Sequence, residues 1–223
     1  MRTPELSQRV ERVAGRLLPW LTDWPESRIL REAKKAANRA TYIEPPSEGA
    51  GGETQGEVRH FPLVLRSSLA LKPSATDETI AHELVHFFRI SRNHHVMAEA
   101  VSNYLTLQKM RLPKETFAKA RPLIGSVIRK YLPAAFKKQL MNPATEHPEP
   151  LFPQEPFHGA DLGSILGLHA TDFESAANKP NAGLLLLREV GRGQELERVK
   201  KKILAGEFDE ELKRLPAIHS NSA

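Results

Sequence analysis

The sequence predicts an α+β protein, predominantly helical, in which a small sheet leads into a helix bearing metal-ligand chemistry. Three observations predict it. Apolar residues recur at helical spacing through most of the chain. A single stretch, Val58 to Leu71, has strand character. Directly after it comes His82-Glu83-Leu84-Val85-His86, an H-E-x-x-H pattern.

Taken in order, Leu6, Val10, Val13 and Leu17 form one helical stripe, with Thr3-Pro4 as its start. A second helix is expected from Pro25 to about Arg39, through Ile29, Leu30, Ala33 and Ala36-Ala37. Pro45-Pro46-Ser47-Glu48-Gly49-Ala50-Gly51-Gly52 reads as a loop or hairpin. The strand material is densest at Phe61-Pro62-Leu63-Val64-Leu65. Pro62 cannot donate to a ladder, so an edge strand over about 60–71 is expected. Ser74 or Thr76 caps the next helix, with Asp77 and Glu78 in its first turn. Ile80, Leu84, Phe87 and Phe88 make its apolar stripe, which leaves His82, Glu83 and His86 at the margin. Ser91 to His95 reads as a short turn before a further helix over Val96 to Leu105.

Beyond Pro113 the character changes. Residues 114–141 read as basic helices broken at Pro122 and Pro133, with Lys114, Lys119, Arg121, Arg129, Lys130, Lys137 and Lys138 against Glu115. A solvated basic face is the favoured reading there, and an electropositive surface for an acidic partner the sharper one. No aromatic interleaving accompanies it, which disfavours a nucleic-acid partner. Asn142 to Phe157 holds five prolines and reads as a long ordered loop. His158 to Gly167 is expected to be a helix whose glycines permit close packing, and Leu184 to Leu187 a buried helix or strand fragment. Residues 193–214, with Leu196, Val199 and Leu204, read as a solvated amphipathic helix pair. Two subdomains are expected, 1–112 and 113–223, packed as one unit.

Composition fits a small enzyme. The 223 residues are 40% hydrophobic and carry a net charge of +5. No apolar run approaches the roughly 18 residues that span a bilayer, so no membrane span is expected. The chain opens on an amphipathic helix rather than a signal peptide. Without cysteine there is no disulfide framework, zinc ribbon or thiol nucleophile, and a cytoplasmic location follows by default. Oligomeric state is not legible.

Chemistry concentrates at residues 82–103. Residues four apart share a helix face, so His82 and His86 can present two imidazoles to one Zn²⁺, with Glu83 beside them to take a proton from the attacking water. A catalytic zinc needs a third protein ligand. The longer H-E-x-x-H-x-x-G-x-x-H pattern fails, because Arg89 and Arg92 occupy its last positions. Folding the expected helix hairpin about Arg92-Asn93 sets His86 opposite Glu99 and His82 opposite Asn103. Glu99 is therefore the candidate third ligand, and Asn103 can accept the other ring N–H of His82. His94 and His95 are the alternatives to Glu99.

His82-Glu83-x-x-His86 followed by Glu99-Ala100-Val101-Ser102-Asn103 resembles the gluzincin metallopeptidases, the thermolysin-like branch of the zincins, whose second helix reads E-A-x-S-D. The short span between the motifs is closest to the compact minigluzincin-like members. The resemblance covers about residues 60–110. It implies a zincin-like core, zinc held by His82, His86 and Glu99, Glu83 as general base, Asn103 supporting a ligand, and a peptide or protein substrate. Asn103 departs from the family aspartate and leaves the site less negative. Family members hold extended substrate on an edge strand before the metal helix. They also stabilise the oxyanion with a tyrosine or histidine in their second half, often before a glycine-containing helix. His158 is the candidate on that pattern, with His169, Tyr104 and His147 as rivals. The competing class is a non-catalytic or regulatory module that binds a protein or acidic partner through the basic helices.

Overall fold

The structure, a computed structural model, describes residues 2–43, 56–61, 66–91, 94–110 and 159–215. Among these the chain is predominantly helical with one small sheet, α+β as expected. It divides into two units, Met1–Arg89 and Ile90–Ala223. The division expected after 112 falls within residues 111–158, which lie outside the described residues, as do the 45–52 loop, the basic segment 114–141, the proline-rich loop and His158.

In the first unit, α1 (Pro4–Leu21) starts where Thr3 Oγ1 accepts the Leu6 N–H, and Pro4 takes the first helical position, where no N–H is needed. Its buried stripe is Leu6, Val10, Val13, Ala14, Leu17 and Leu18. The helix α2 (Glu26–Arg39) follows after a four-residue connection and packs back on α1. Ser7 Oγ donates to the Ala37 carbonyl at 3.3 Å and Arg2 to Asn38 Oδ1 at 2.6 Å, which pairs the start of α1 with the end of α2.

The chain then passes directly into β1 (Ala40–Tyr42). With β2 (Gly56–Phe61) and β3 (Arg66–Leu71) it forms a sheet in the order β1-β3-β2. β1 runs parallel to β3, and β2 antiparallel to it, from Gly56 opposite Leu71 to Phe61 opposite Arg66. This corrects the expected edge strand over 60–71. That stretch is a hairpin rather than one strand, and its second arm is central. Leu69, Ala70 and Leu71 are all buried, so β3 lacks the polar face of an edge strand. Pro62 and its neighbours through Leu65 lie outside the described residues. β1 went unread because three residues after a helix carry no periodicity of their own.

The helix α3 (Asp77–Phe88) packs on the sheet and on α1 through Ile80, Ala81, Leu84, Val85 and Phe87. Of the two expected caps the structure uses Thr76, whose Oγ1 accepts the Thr79 N–H at 3.3 Å. Arg89 ends the helix in the left-handed region, φ 48°. Both ends of α3 are tied to the first helix pair. At the start, Asp77 accepts from Arg9 Nε at 2.6 Å and Arg12 Nη2 at 3.0 Å. At the finish, Phe88 meets Trp24 edge to face with ring centroids 6.1 Å apart, and Arg28 stacks on the other partner, 4.1 Å from the Trp24 centroid.

In the second unit, α4 (His94–Met110) packs along α5 (Gly159–Ala177), and α6 (Ala182–Gly191) lies against both. The expected turn at 91–95 is shorter than read, since His94 and His95 are already the first two residues of α4. Every residue of α6 is buried, which settles Leu184–Leu187 as helix. The pair expected over 193–214 is present as α7 (Leu196–Leu204) and α8 (Asp209–Arg214). Val199 and Ile203 form its buried edge, while Leu204 is exposed. No described helix is long and apolar enough to cross a membrane.

The Asp77 ion pairs carry a pH dependence. Burial pushes the Asp77 carboxyl up, but Arg9 and Arg12 outweigh it and hold the group below its ordinary value. The pairs are partly exposed, so with solvent screening they contribute about 0.5–1 kcal/mol. A folded value below the unfolded one gives stability that is complete above the unfolded carboxyl value and lost as pH falls through the folded value. Asp77→Asn is therefore expected to lower the thermal midpoint at pH 7, with the difference from wild type closing under strongly acidic conditions. Circular-dichroism melts across that range check it.

Candidate metal-binding helix

The four-residue spacing of His82 and His86 does locally what the helix period dictates. Both rings emerge half-buried from one face of α3, and their Nε2 atoms stand 3.2 Å apart. The ring centroids are 4.9 Å apart and the planes are inclined at 66°, so the two Nε2 atoms converge while the rings avoid stacking.

That separation can be tested against a metal. Two nitrogens each about 2.0–2.1 Å from a tetrahedral zinc lie about 3.3–3.4 Å from one another. The observed 3.2 Å needs only a small adjustment to match. It also matches an N–H···N hydrogen bond in which one imidazole donates and the other accepts. With that small adjustment the pair could supply two of the ligands of a zinc site.

Glu83 is next in sequence and about 100° further round the helix. It is buried, at 7% exposure. A carboxylate withdrawn from water beside two imidazoles is the arrangement general-base chemistry uses. Glu78, one turn before His82, is also buried, at 5% exposure. The sequence marked Glu78 only as a first-turn acid. Its four-residue spacing from His82 was the available signal, masked because acids are favoured at helix starts for the macrodipole alone.

In the second unit, Glu99 and Asn103 lie one turn apart on α4, both half-buried. Asn103 Nδ2 donates to the Glu99 carbonyl at 2.8 Å. The donor end of the amide thus serves its own helix, and the acceptor end is the one its expected role requires. His94 and His95 have ring centroids 4.4 Å apart. Within each unit the structure thus brings together His82 and His86, with Glu83 next to His82 along the helix, and separately Glu99 and Asn103.

The backbone of α4 at these residues is held by glycines of α5. A Cβ on Gly167 would stand 2.7 Å from the Ala100 carbonyl oxygen and 2.9 Å from Asn103 Cβ. One on Gly163 would stand 2.8 Å from the Val96 carbonyl oxygen and collide with Glu99 Cβ. The close packing expected of these glycines is present, and it is Glu99 and Asn103 that it fixes.

Of the rivals for oxyanion stabilisation, Tyr104 is removed by its surroundings. It is fully buried and donates its hydroxyl to Glu174. Glu174 also accepts from Gln108 Nε2 at 2.9 Å and from the Asn181 backbone N–H, linking α4, α5 and the start of α6. Burial drives the Tyr104 phenol well above its ordinary value, and the Glu174 charge adds to this. Burial likewise raises the Glu174 carboxyl, against the hydrogen bonds it accepts. Tyr104 is a structural residue. His169 is half-buried on α5, while His147 and the first candidate, His158, lie outside the described residues.

No protein-family model, curated protein or solved structure matches this chain.

Gly167→Ala would normally gain helix propensity, but here its methyl meets backbone atoms that cannot give way. The variant is expected to destabilise the protein by about 1–3 kcal/mol. Denaturant unfolding measures it, and a neutral or stabilising result would refute the close packing.

Proposed function

We propose that the chain is a zinc-dependent metallopeptidase of the gluzincin type. The observation that carries this reading is the convergence of His82 and His86 Nε2 at 3.2 Å with buried Glu83 next to them. In the proposed site His82, His86 and Glu99 hold the metal, with His94 or His95 as the imidazole alternative to Glu99. Asn103 supports a metal ligand through its amide oxygen. The two halves of this donor set belong to different units, and their union rests on the sequence register and on the resemblance of both motifs to the gluzincin pattern.

Bound there, zinc would supply Lewis acidity, lowering the pKa of water towards about 7 and polarising an amide carbonyl. Glu83 takes the proton of the attacking water and then delivers it to the leaving amine. Its burial excludes bulk water that would compete for that proton. The substrate is a peptide or protein in extended form, and of the described strands only β1 or β2 could take it along an edge of the small sheet, since β3 is paired on both sides. His158 remains the proposed oxyanion donor, on the family pattern alone.

A second reading has a specific observation behind it, since 3.2 Å also fits a histidine–histidine hydrogen bond. In that reading the helix is structural and the chain is a non-catalytic or regulatory module, binding an acidic or protein partner through its basic segment. Metal analysis separates the two. About one zinc per purified chain is expected for the enzyme and none for the module.

Glu83→Gln should retain zinc and lose peptide-library hydrolysis by roughly 10²–10⁴-fold. Near-full activity in that variant would refute the general-base assignment. Glu99→Ala should weaken zinc binding, whereas unchanged affinity would transfer the third position to His94 or His95.

A further inference from the structure

We propose that Glu78 positions His82 as a metal ligand, supplying from the ligand helix itself a supporting carboxylate where the second helix offers the amide of Asn103. This rests on the zinc reading above.

Three features of α3 point to it. Asp77 and Glu78 both occupy the first turn, yet they have different surroundings. Asp77 is partly exposed and paired with Arg9 and Arg12, and Thr76 caps the helix, so the ordinary needs of a helix start are already met. Glu78 is instead buried to 5% exposure, uncommon for a residue type that almost always stays in water. Secondly, residues four apart on a helix have Cβ atoms about 5–6 Å apart. Helical side chains lean towards the N-terminus, which is the direction of Glu78 from His82. Thirdly, His82 turns Nε2 towards His86, which makes Nδ1 the nitrogen whose proton needs an acceptor.

A ligating histidine almost always donates its other ring N–H to a carboxylate or carbonyl, which sets its tautomer and raises its basicity. The residue at the expected place on α4 is Asn103, an uncharged amide whose nitrogen is bonded to the Glu99 carbonyl. It can accept a proton donor but brings no negative charge. Glu78 brings that charge from a position already fixed relative to His82 by the helix period. The ligand and its carboxylate then move as one body, whatever the second helix does.

Zinc affinity by chelator competition, measured on the full chain with Glu78→Gln and Glu78→Ala, tests this. Loss of such a supporting partner typically weakens metal binding about 10–100-fold, so both variants should bind more weakly, alanine the more so. The metal-free melting temperature and the visible spectrum of the Co²⁺-substituted protein separate positioning from folding. A positioning role shifts the cobalt bands in the glutamine variant even if its metal-free form melts earlier. Unshifted bands with unchanged zinc affinity would overturn the proposal, however the melting temperature responds. If the wild-type chain itself binds no zinc, the metallopeptidase reading fails first and this proposal with it.

Discussion

Everything proposed for this protein depends on the immobility of α3. Two imidazoles one turn apart converge on a point only while their helix neither rotates nor slides, and the structure fixes both motions within the first unit. Arg9 and Arg12 hold Asp77 at the N-terminus, and Trp24 meets Phe88 at the other end. Between them Ile80, Ala81, Leu84 and Val85 are buried, and the helix contacts the sheet and α1. The ion pairs are partly exposed and individually weak. Their use is positional, since the apolar face would tolerate small slips that would separate the two Nε2 atoms.

The second unit solves a related problem by different means. Its α4 is held at Glu99 and Asn103 by backbone proximity, with Gly163 and Gly167 of α5 lying where any side chain would strike it. Tyr104, Gln108 and Glu174 add a buried polar tie one turn further along. Such a tie stabilises only when every member is satisfied; at Glu174 burial outweighs the bonds the carboxyl accepts and raises it above its ordinary value. The first unit is therefore set by charge and aromatic contacts at helix ends, the second by small residues at a helix seam.

Much of this was legible in the sequence wherever a residue's role follows from periodicity. The stripe of α1, the cap at Thr76, the run from Leu184 to Leu187 and the convergence of His82 with His86 all follow from a 3.6-residue period and capping chemistry. The sheet was less legible. A three-residue strand such as β1 has no period to read, and the 58–71 stretch looks continuous in sequence because residues 62–65, between β2 and β3, are themselves apolar apart from Pro62. Glu78 was hidden by ambiguity, since a first-turn glutamate satisfies the helix dipole whether or not it does anything else. Tyr104 stands among the rivals to His158 because sequence does not report that its hydroxyl is committed to Glu174, 70 residues away. The pairing of α3 with α4 is a register inferred from a short connection, and His158 rests on family pattern alone.

The most direct test of the central claim is zinc K-edge X-ray absorption on the metal-loaded chain. The proposed site should give four-coordinate zinc with scattering from two imidazoles at about 2.0–2.1 Å and further oxygen at similar distance. Three imidazoles in the shell would contradict Glu99 as a ligand. A shell with fewer than two imidazoles, or a chain that takes up no zinc, would contradict the role given to His82 and His86 and the function built on it.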